Sequence, residues 1–441
     1  MSALSRLKSV VENLPESIGK PLAKVPYGVR LGPTYTRFSK FAASSSFTKS
    51  NILLSSLNDI ASQAAKQCSF YQAFYQRQNY SLNPIMSLDD WSKVPIVTKA
   101  DLQAVPLEER CIEGRKGMKV NTGGTSGQPL EFYLDTRAFA REWAHMHFIW
   151  KARGYRPSHL KLTLRGKHFD LDRPIRYNAV HNEYVVNANV PMSQVVEAVL
   201  ALSDRSVIRW LHGYPSLVAE FAHAVSCLEP NDIERIRGPL FGVLLGSEYP
   251  APVYRNVIES VLTTNVVSWY GHSEMAVLAR EISKGVYQSL PTYGFAEAVP
   301  TEDGKAYRLV CTSLHNQVHP FIRYDTGDLI EPITQNGGTL TFRIAEGRVG
   351  DFIEDLNGQK HSLTAIIFGR HHKIFNELQH LQVKQEAPGV MTLVVTPKDM
   401  AIDIATIQQG FDLDDLPIQW QVEKVSEPVR TAAGKIRLKI G

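Results

Sequence analysis

Between about residue 195 and residue 275 the chain alternates short apolar runs with amphipathic ones, and this alternation restricts the fold more than any other feature. Val195 to Leu202 has helical spacing, SVIRWLHG (206–213) reads as a strand, and Pro215 to Leu228 reads as a helix with Leu217, Phe221, Val225 and Leu228 on one face. FGVLL (241–245) follows as a buried strand, APVYRNVIESVL as a helix and NVVSWYG (265–271) as a strand. Strands alternating with helices need right-handed crossovers, which set the strands parallel in one sheet. The carboxyl ends then share one edge, where ligands bind. The exits at that edge are HGYPS (212–216), GSEYP (246–250) and GHSEM (271–275).

Beyond about residue 305 the pattern changes to short strands: AYRLVCTS, FIRYDTGDLIEPI and TLTFRI. EGRVGD (346–351) interrupts it, and DFIEDLNGQK then reads as a hairpin turning at Asn357-Gly358. The tail predicts a helix near 363–378, strands LQVKQE, MTLVVT and IQWQVEKV, and a helix near 400–409. The expected fold is therefore α/β. A large N-terminal domain, 1–348, holds parallel or mixed sheets and helices, and a small α+β domain occupies 349–441. Earlier in the chain, Thr98 three residues before Asp101 forms the pattern of a capping box, and FAREWAHMHFIW (139–150) predicts a helix.

Several classes are disfavoured. The 48 basic and 44 acidic side chains give a net charge of +4, but they are dispersed, so no nucleic-acid partner is expected. No apolar run approaches the ~18 residues of a membrane helix and the start lacks a signal-peptide pattern, so a cytoplasmic protein is expected. Cys68, Cys111, Cys227 and Cys311 are too far apart for a CxxC pair and read as reduced core residues. His361, His371, His372 and His380 lack zinc spacing, and Asp412, Asp414 and Asp415 read as a solvated face.

Four segments suggest chemistry. Thr122, Gly123, Gly124, Thr125, Ser126 and Gly127 place three glycines and three hydroxyls in six residues, a composition that suits a phosphate as well as it suits a plain surface turn. Gln128 and Pro129 follow, so this is not a Walker A loop. Gly271, His272, Ser273, Glu274 and Met275 approach a nucleophile elbow, but Met275 replaces its second glycine, which argues against a serine hydrolase. Asp325-Thr326-Gly327-Asp328 is a turn whose carboxylates suit ribose hydroxyls, and Gly434-Lys435 lies in a small-residue loop with Arg437 nearby.

Taken in order, the glycine-hydroxyl loop, GSE, YGHSE, RYDTGD, EGRVGD and PVRTAAGK resemble the superfamily of AMP-forming acyl-adenylating enzymes. In detail the chain is similar, from about Val94 onward, to the phenylacetate:CoA ligase branch and the related ligases of capsular polysaccharide biosynthesis. The resemblance implies ATP with Mg²⁺, a small carboxylic acid, and a thiol or amine acceptor, CoA by default. It implies that Thr122 to Gly127 hold the β- and γ-phosphates, that Gly246, Ser247 and Glu248 lie beside adenine, and that Tyr270 stacks on it. Glu274 is implied as the magnesium acid, Asp328 and Arg348 as ribose contacts, and Lys435 as the lysine of adenylation. His212 and Tyr214 are candidates for the acid pocket, with the aromatic helix 139–150. Gln128, Asp325 and Gly350 depart from the residues many members carry, a lysine, an arginine and a hinge acid. The alternatives are an amide-forming ligase and a non-catalytic nucleotide-binding homologue, which would be expected to lack Lys435 or Glu274.

Overall fold

The structure is a computed structural model that describes residues 14, 16–44, 50–121, 130–167, 169, 173–187, 190–346, 352–358, 360–363, 366–367, 372–411, 413–414, 416–430 and 436–440. The chain divides into two compact units. One comprises Met1–Arg30, Trp150–Ser268 and Asp351–Gly441; the other comprises Leu31–Ile149 and Trp269–Gly350.

In the first unit, strands Glu183–Asn187, Lys161–Lys167, Trp210–Gly213 and Gly242–Leu245 lie side by side and parallel, followed by residues 266–268. Ile175–Asn178 closes the outer edge, antiparallel to Glu183–Asn187. Trp210–Gly213 and Gly242–Leu245 are buried at every position, as strands covered on both faces must be. Helices Met192–Ser203, Pro215–Ser226 and Pro252–Val261 match the expected crossovers. A further helix, Pro230–Arg237, was not expected; it is polar and buries only Ile236. Proline opens three of these helices, where its fixed φ suits the first turn and no N–H is lost from the ladder. Leu162, Leu211, Val243 and Leu245 pack with Val195, Val218, Phe221 and Ile258 in one core.

The C-terminal residues of this unit form a smaller α+β region. Leu378–Ala387 and Val390–Pro397 make an antiparallel pair, flanked in parallel by Lys439–Ile440 and Gln419–Lys424. Val383, Leu393, Val395 and Ile407 belong to its separate core. The hairpin Phe352–Glu354 with Lys360–Ser362 turns where expected, with Gly358 at φ +76°, a conformation that favours glycine. The helix expected over 363–378 does not continue to its end: 364–365 and 368–371 lie outside the described residues, 363 and 366–367 are helical, His372 at φ −52° and ψ 134° is extended, and a 3₁₀ turn covers Lys373–Glu377.

The second unit is largely antiparallel. Its strands follow the order Gly294–Pro300, Tyr307–Ser313, Tyr324–Asn336, Thr339–Glu346, Val286–Ser289 and Leu278–Ser283, ending on residues 269–271. Helices Ser50–Gln67 and Ser69–Arg77 cover it, contributing Leu57, Phe70 and Phe74 to a core with Trp91, Phe132, Phe295 and Phe342. The capping box is present: Thr98 accepts from the Asp101 amide and Asp101 accepts from the Thr98 amide.

Candidate functional site

In the first unit the sheet register defines the edge. Leu164 pairs with Gly213 and Gly213 with Leu245, so Arg165, Tyr214 and Gly246 leave the sheet together. Two further bonds hold that row: the Tyr214 amide donates to Leu164 O at 3.0 Å and the Gly246 amide to Gly213 O at 3.2 Å. Gly213 is obligatory here, because a Cβ would meet Leu164 O at 2.3 Å. Ser247 sits in the left-handed region at φ +69°, a cost carried by a non-glycine residue at the turn.

Glu248 is firmly bound. Its Oε2 accepts from the Ser216 amide at 3.2 Å and hydroxyl at 2.7 Å, in the first turn of helix Pro215–Ser226, where the helix dipole favours an anion. Its Oε1 accepts from the Ile436 amide at 3.3 Å. Ile436 directly follows Lys435, so the segment next to the expected adenylation lysine meets the GSE turn. One turn along the same helix, Glu220 lies 2.5 Å from Arg430 Nη2 and 2.8 Å from His380 Nε2. Burial alone would raise the Glu220 pKa, but His380 and Arg430 outweigh it and hold the carboxyl below its ordinary range.

His212 is buried, its ring edge-on to Trp150 at 5.1 Å. Burial, then the Arg165 and Lys161 charges, push its pKa well down, so it is neutral. Tyr214, 8% exposed, carries the Arg165 guanidinium 5.5 Å from its ring centre, and Arg165 Nη2 donates to Ser247 Oγ at 2.5 Å. Sequence reasoning passed over Arg165. The available signal was its position just after the apolar run of LTLR, at a strand exit.

In the second unit, the Tyr270 hydroxyl donates to Asp328 Oδ2, joining YGHSE to DTGD. Tyr270 also packs edge-on against Phe342. The DTGD segment, expected as a turn, instead lies within strand Tyr324–Asn336 at a break in its register with Tyr307–Ser313: Asp325 Oδ1 accepts from the Gly327 amide at 2.9 Å, Thr326 Oγ1 donates to Leu309 O at 2.8 Å, and Gly327 has φ +78°. Asp325 pairs with Arg308 from the neighbouring strand at 3.1 Å. Glu274 is 5% exposed; its Oε2 is 2.7 Å from His272 Nδ1 and its Oε1 accepts from the Tyr324 hydroxyl at 3.3 Å. The contacts of His272 run to Glu274 and Cys311 rather than Ser273, which gives the hydrolase reading no base.

Thr122, Gly123, Gly124, Thr125, Ser126, Gly127, Arg348 and Lys435 lie outside the described residues, as do Gln128, Gly350, His371, Asp412 and Asp415. Among the described residues no group of three His, Cys, Asp or Glu side chains is placed to hold a metal. His361 is 2.8 Å from Asp355 and His372 Nε2 is 2.9 Å from Ile366 O, so each has a structural partner. The four cysteines are free, and among the described residues no helix is long and apolar enough to cross a membrane.

No protein-family model matches the chain. It is 22% identical over 302 residues to Protein CapK of Staphylococcus aureus, covering 66% of this chain and 65% of that one; the chain thus spans just under two thirds of that relative's length. In structure it is similar to a 2-hydroxyisobutyryl-CoA ligase in the postadenylation state in complex with R3-HIB-AMP, with TM-score 0.65, 18% identity and 89% of each chain covered. It is also similar to the GH3.15 acyl acid amido synthetase, with TM-score 0.57, 13% identity, and 85% of this chain and 86% of that one covered. The fold is that of the AMP-forming acyl-adenylating enzymes. Within that fold, Tyr270 and Glu274 lie at and just beyond a strand end, Asp328 at a register break within a strand, and Gly246, Ser247 and Glu248 just after a strand of the other unit.

Proposed function

We propose that this protein is a ligase that activates a carboxylic acid with MgATP, releasing pyrophosphate and forming an acyl adenylate, and then transfers the acyl group to CoA. The observation that carries this reading is the Tyr270–Asp328 hydrogen bond, which unites two motifs 58 residues apart at one point of the second unit. An aromatic ring fixed to a buried carboxylate offers stacking for a base and acceptors for ribose hydroxyls.

In the first step a substrate carboxylate oxygen attacks the α-phosphorus and the bond to pyrophosphate breaks, so no protein nucleophile is required. The burden on the protein is to offset charge as two anions meet. Glu274 would hold the Mg²⁺ of the nucleotide, which would offset charge on the phosphates. His272 and Tyr324 hold that carboxylate in place. The Lys435 ammonium is assigned to the charge developing at the α-phosphate. Residues 349–441 form the domain that carries it, and its withdrawal after adenylation admits the acceptor. In the second step the thiol sulfur bonds to the acyl carbon and AMP leaves.

An amine acceptor is the second reading, favoured by the similarity to an acyl acid amido synthetase. The test is incubation with MgATP, a panel of aryl, fatty, uronic and amino acids, and hydroxylamine. Hydroxamate, pyrophosphate and AMP are expected. ADP as the main acid-dependent product overturns the reading, and parallel reactions with CoA or amines in place of hydroxylamine separate the two acceptors.

A further inference from the structure

Arg165 is a half-buried cation at the ligand edge of the parallel sheet. Tyr214 beneath and Ser247 beside it fix the plane of its guanidinium, using one N–H on a neutral hydroxyl. Among the described residues no carboxylate lies within ion-pair range of it. Three other cations of this unit have carboxylates, Lys161 with Glu183 at 3.0 Å, Arg255 with Glu259 at 2.7 Å and Arg430 with Glu220 at 2.5 Å, while the partly buried Arg176 and Arg209 lie over the rings of Phe169 and Phe241. Glu248, next to Ser247, directs its two oxygens to Ser216 and Ile436. A guanidinium that is partly desolvated and has no counter-charge among the described residues is a costly arrangement unless an anion completes it. Its fork matches a carboxylate or phosphate in two parallel bonds.

The reacting carboxylate is a poor candidate for that anion. Its charge is lost on adenylation, so an arginine clamped on it would stabilise the ground state over the transition state. An anion elsewhere on the substrate keeps its charge throughout.

We propose that Arg165 recognises a second anionic group, a carboxylate or phosphate, on the acid this protein activates, so that the substrate class is a dianion. This rests on the activation reading above.

The test uses matched acids, hexanoate against adipate and benzoate against terephthalate, with pyrophosphate release giving kcat/KM in wild type, Arg165→Gln and Arg165→Lys. One charge-assisted pair corresponds to about a ten- to hundredfold preference for the diacid. That preference is expected in wild type, abolished in Arg165→Gln and partly restored in Arg165→Lys. An unchanged ratio in Arg165→Gln overturns the proposal. So does a rise in the KM for ATP or CoA with the ratio preserved, which would assign Arg165 to those phosphates. Should no acid release pyrophosphate, the activation reading falls, yet calorimetric titration of adipate and hexanoate still decides this one. Adipate binding that disappears in Arg165→Gln sustains the anion site, and binding indifferent to Arg165, or none to wild type, overturns it.

Discussion

Replacing Asp328 by alanine is the most direct trial of the nucleotide site. Asp328 is 7% exposed and its carboxyl accepts from the Tyr270 hydroxyl, a place where a further donor is strongly rewarded. A hydrogen bond to a charged group contributes roughly 1.5 to 3 kcal/mol, and each 1.4 kcal/mol is tenfold in affinity. Asp328→Ala is therefore expected to weaken ATP binding by about ten- to a hundredfold. Tyr270→Phe keeps the ring and removes only the donor, so its loss should be smaller. Because the two groups touch, the double variant should fall short of the sum of the single losses. Calorimetric titration with MgATP, without the acid, measures all four proteins. An unchanged Kd in a folded Asp328→Ala variant would refute the reasoning and leave the DTGD segment a purely structural break in its strand.

Lys435→Ala should slow adenylation about a hundred- to a thousandfold with little change in ATP affinity, while a supplied acyl adenylate is still transferred to its acceptor; equal losses in both half-reactions would deny Lys435 a role confined to the first. For Glu220, a carboxyl held below its ordinary value of 4.5 contributes stability that is complete above that value and is lost as pH falls through the lower folded value. The melting difference between wild type and Glu220→Gln should accordingly be constant near pH 7 and shrink below about pH 4.5; a difference that does not vary with pH would exclude the ion pair as its source. Glu248→Ala removes three hydrogen bonds to Ser216 and Ile436 and should lower the adenylation rate about tenfold or more with ATP affinity less affected, checked by pyrophosphate release under saturating nucleotide.

Much of the parallel sheet was legible because its strands are buried on both faces and therefore read as unbroken apolar runs, as in GVLL. The strand Lys161–Lys167 was not. Its first residue is a fully buried lysine, tolerable only because Glu183 lies opposite on the neighbouring strand, a tertiary fact that no local pattern contains. Helix Pro230–Arg237 escaped for the opposite reason: with one buried side chain it has too narrow an apolar stripe to register. The roles proposed for Asp328, Glu274 and Tyr270 come from residue type and order. Their partners could not, since the Asp325–Arg308 pair follows from strand register and the Tyr270–Asp328 bond from the meeting of distant segments.

Helix Pro215–Ser226 links these observations within the first unit. Its first turn presents Ser216 to Glu248, and Glu248 in turn accepts from Ile436; its second turn presents Glu220 to Arg430 and His380. Arg430 and Ile436 are themselves paired across an antiparallel bridge, and Lys435 lies between them in sequence. Both ends of the lysine-bearing segment are thus held by carboxylates, one on the helix and one on the turn that the helix dipole supports. One of these contacts is an ion pair to a partly exposed arginine and the other a single amide hydrogen bond, and ion pairs at partly exposed sites contribute little and weaken with salt. Such contacts keep the cost of release low, which suits the role proposed for Lys435 in the first half of the reaction alone.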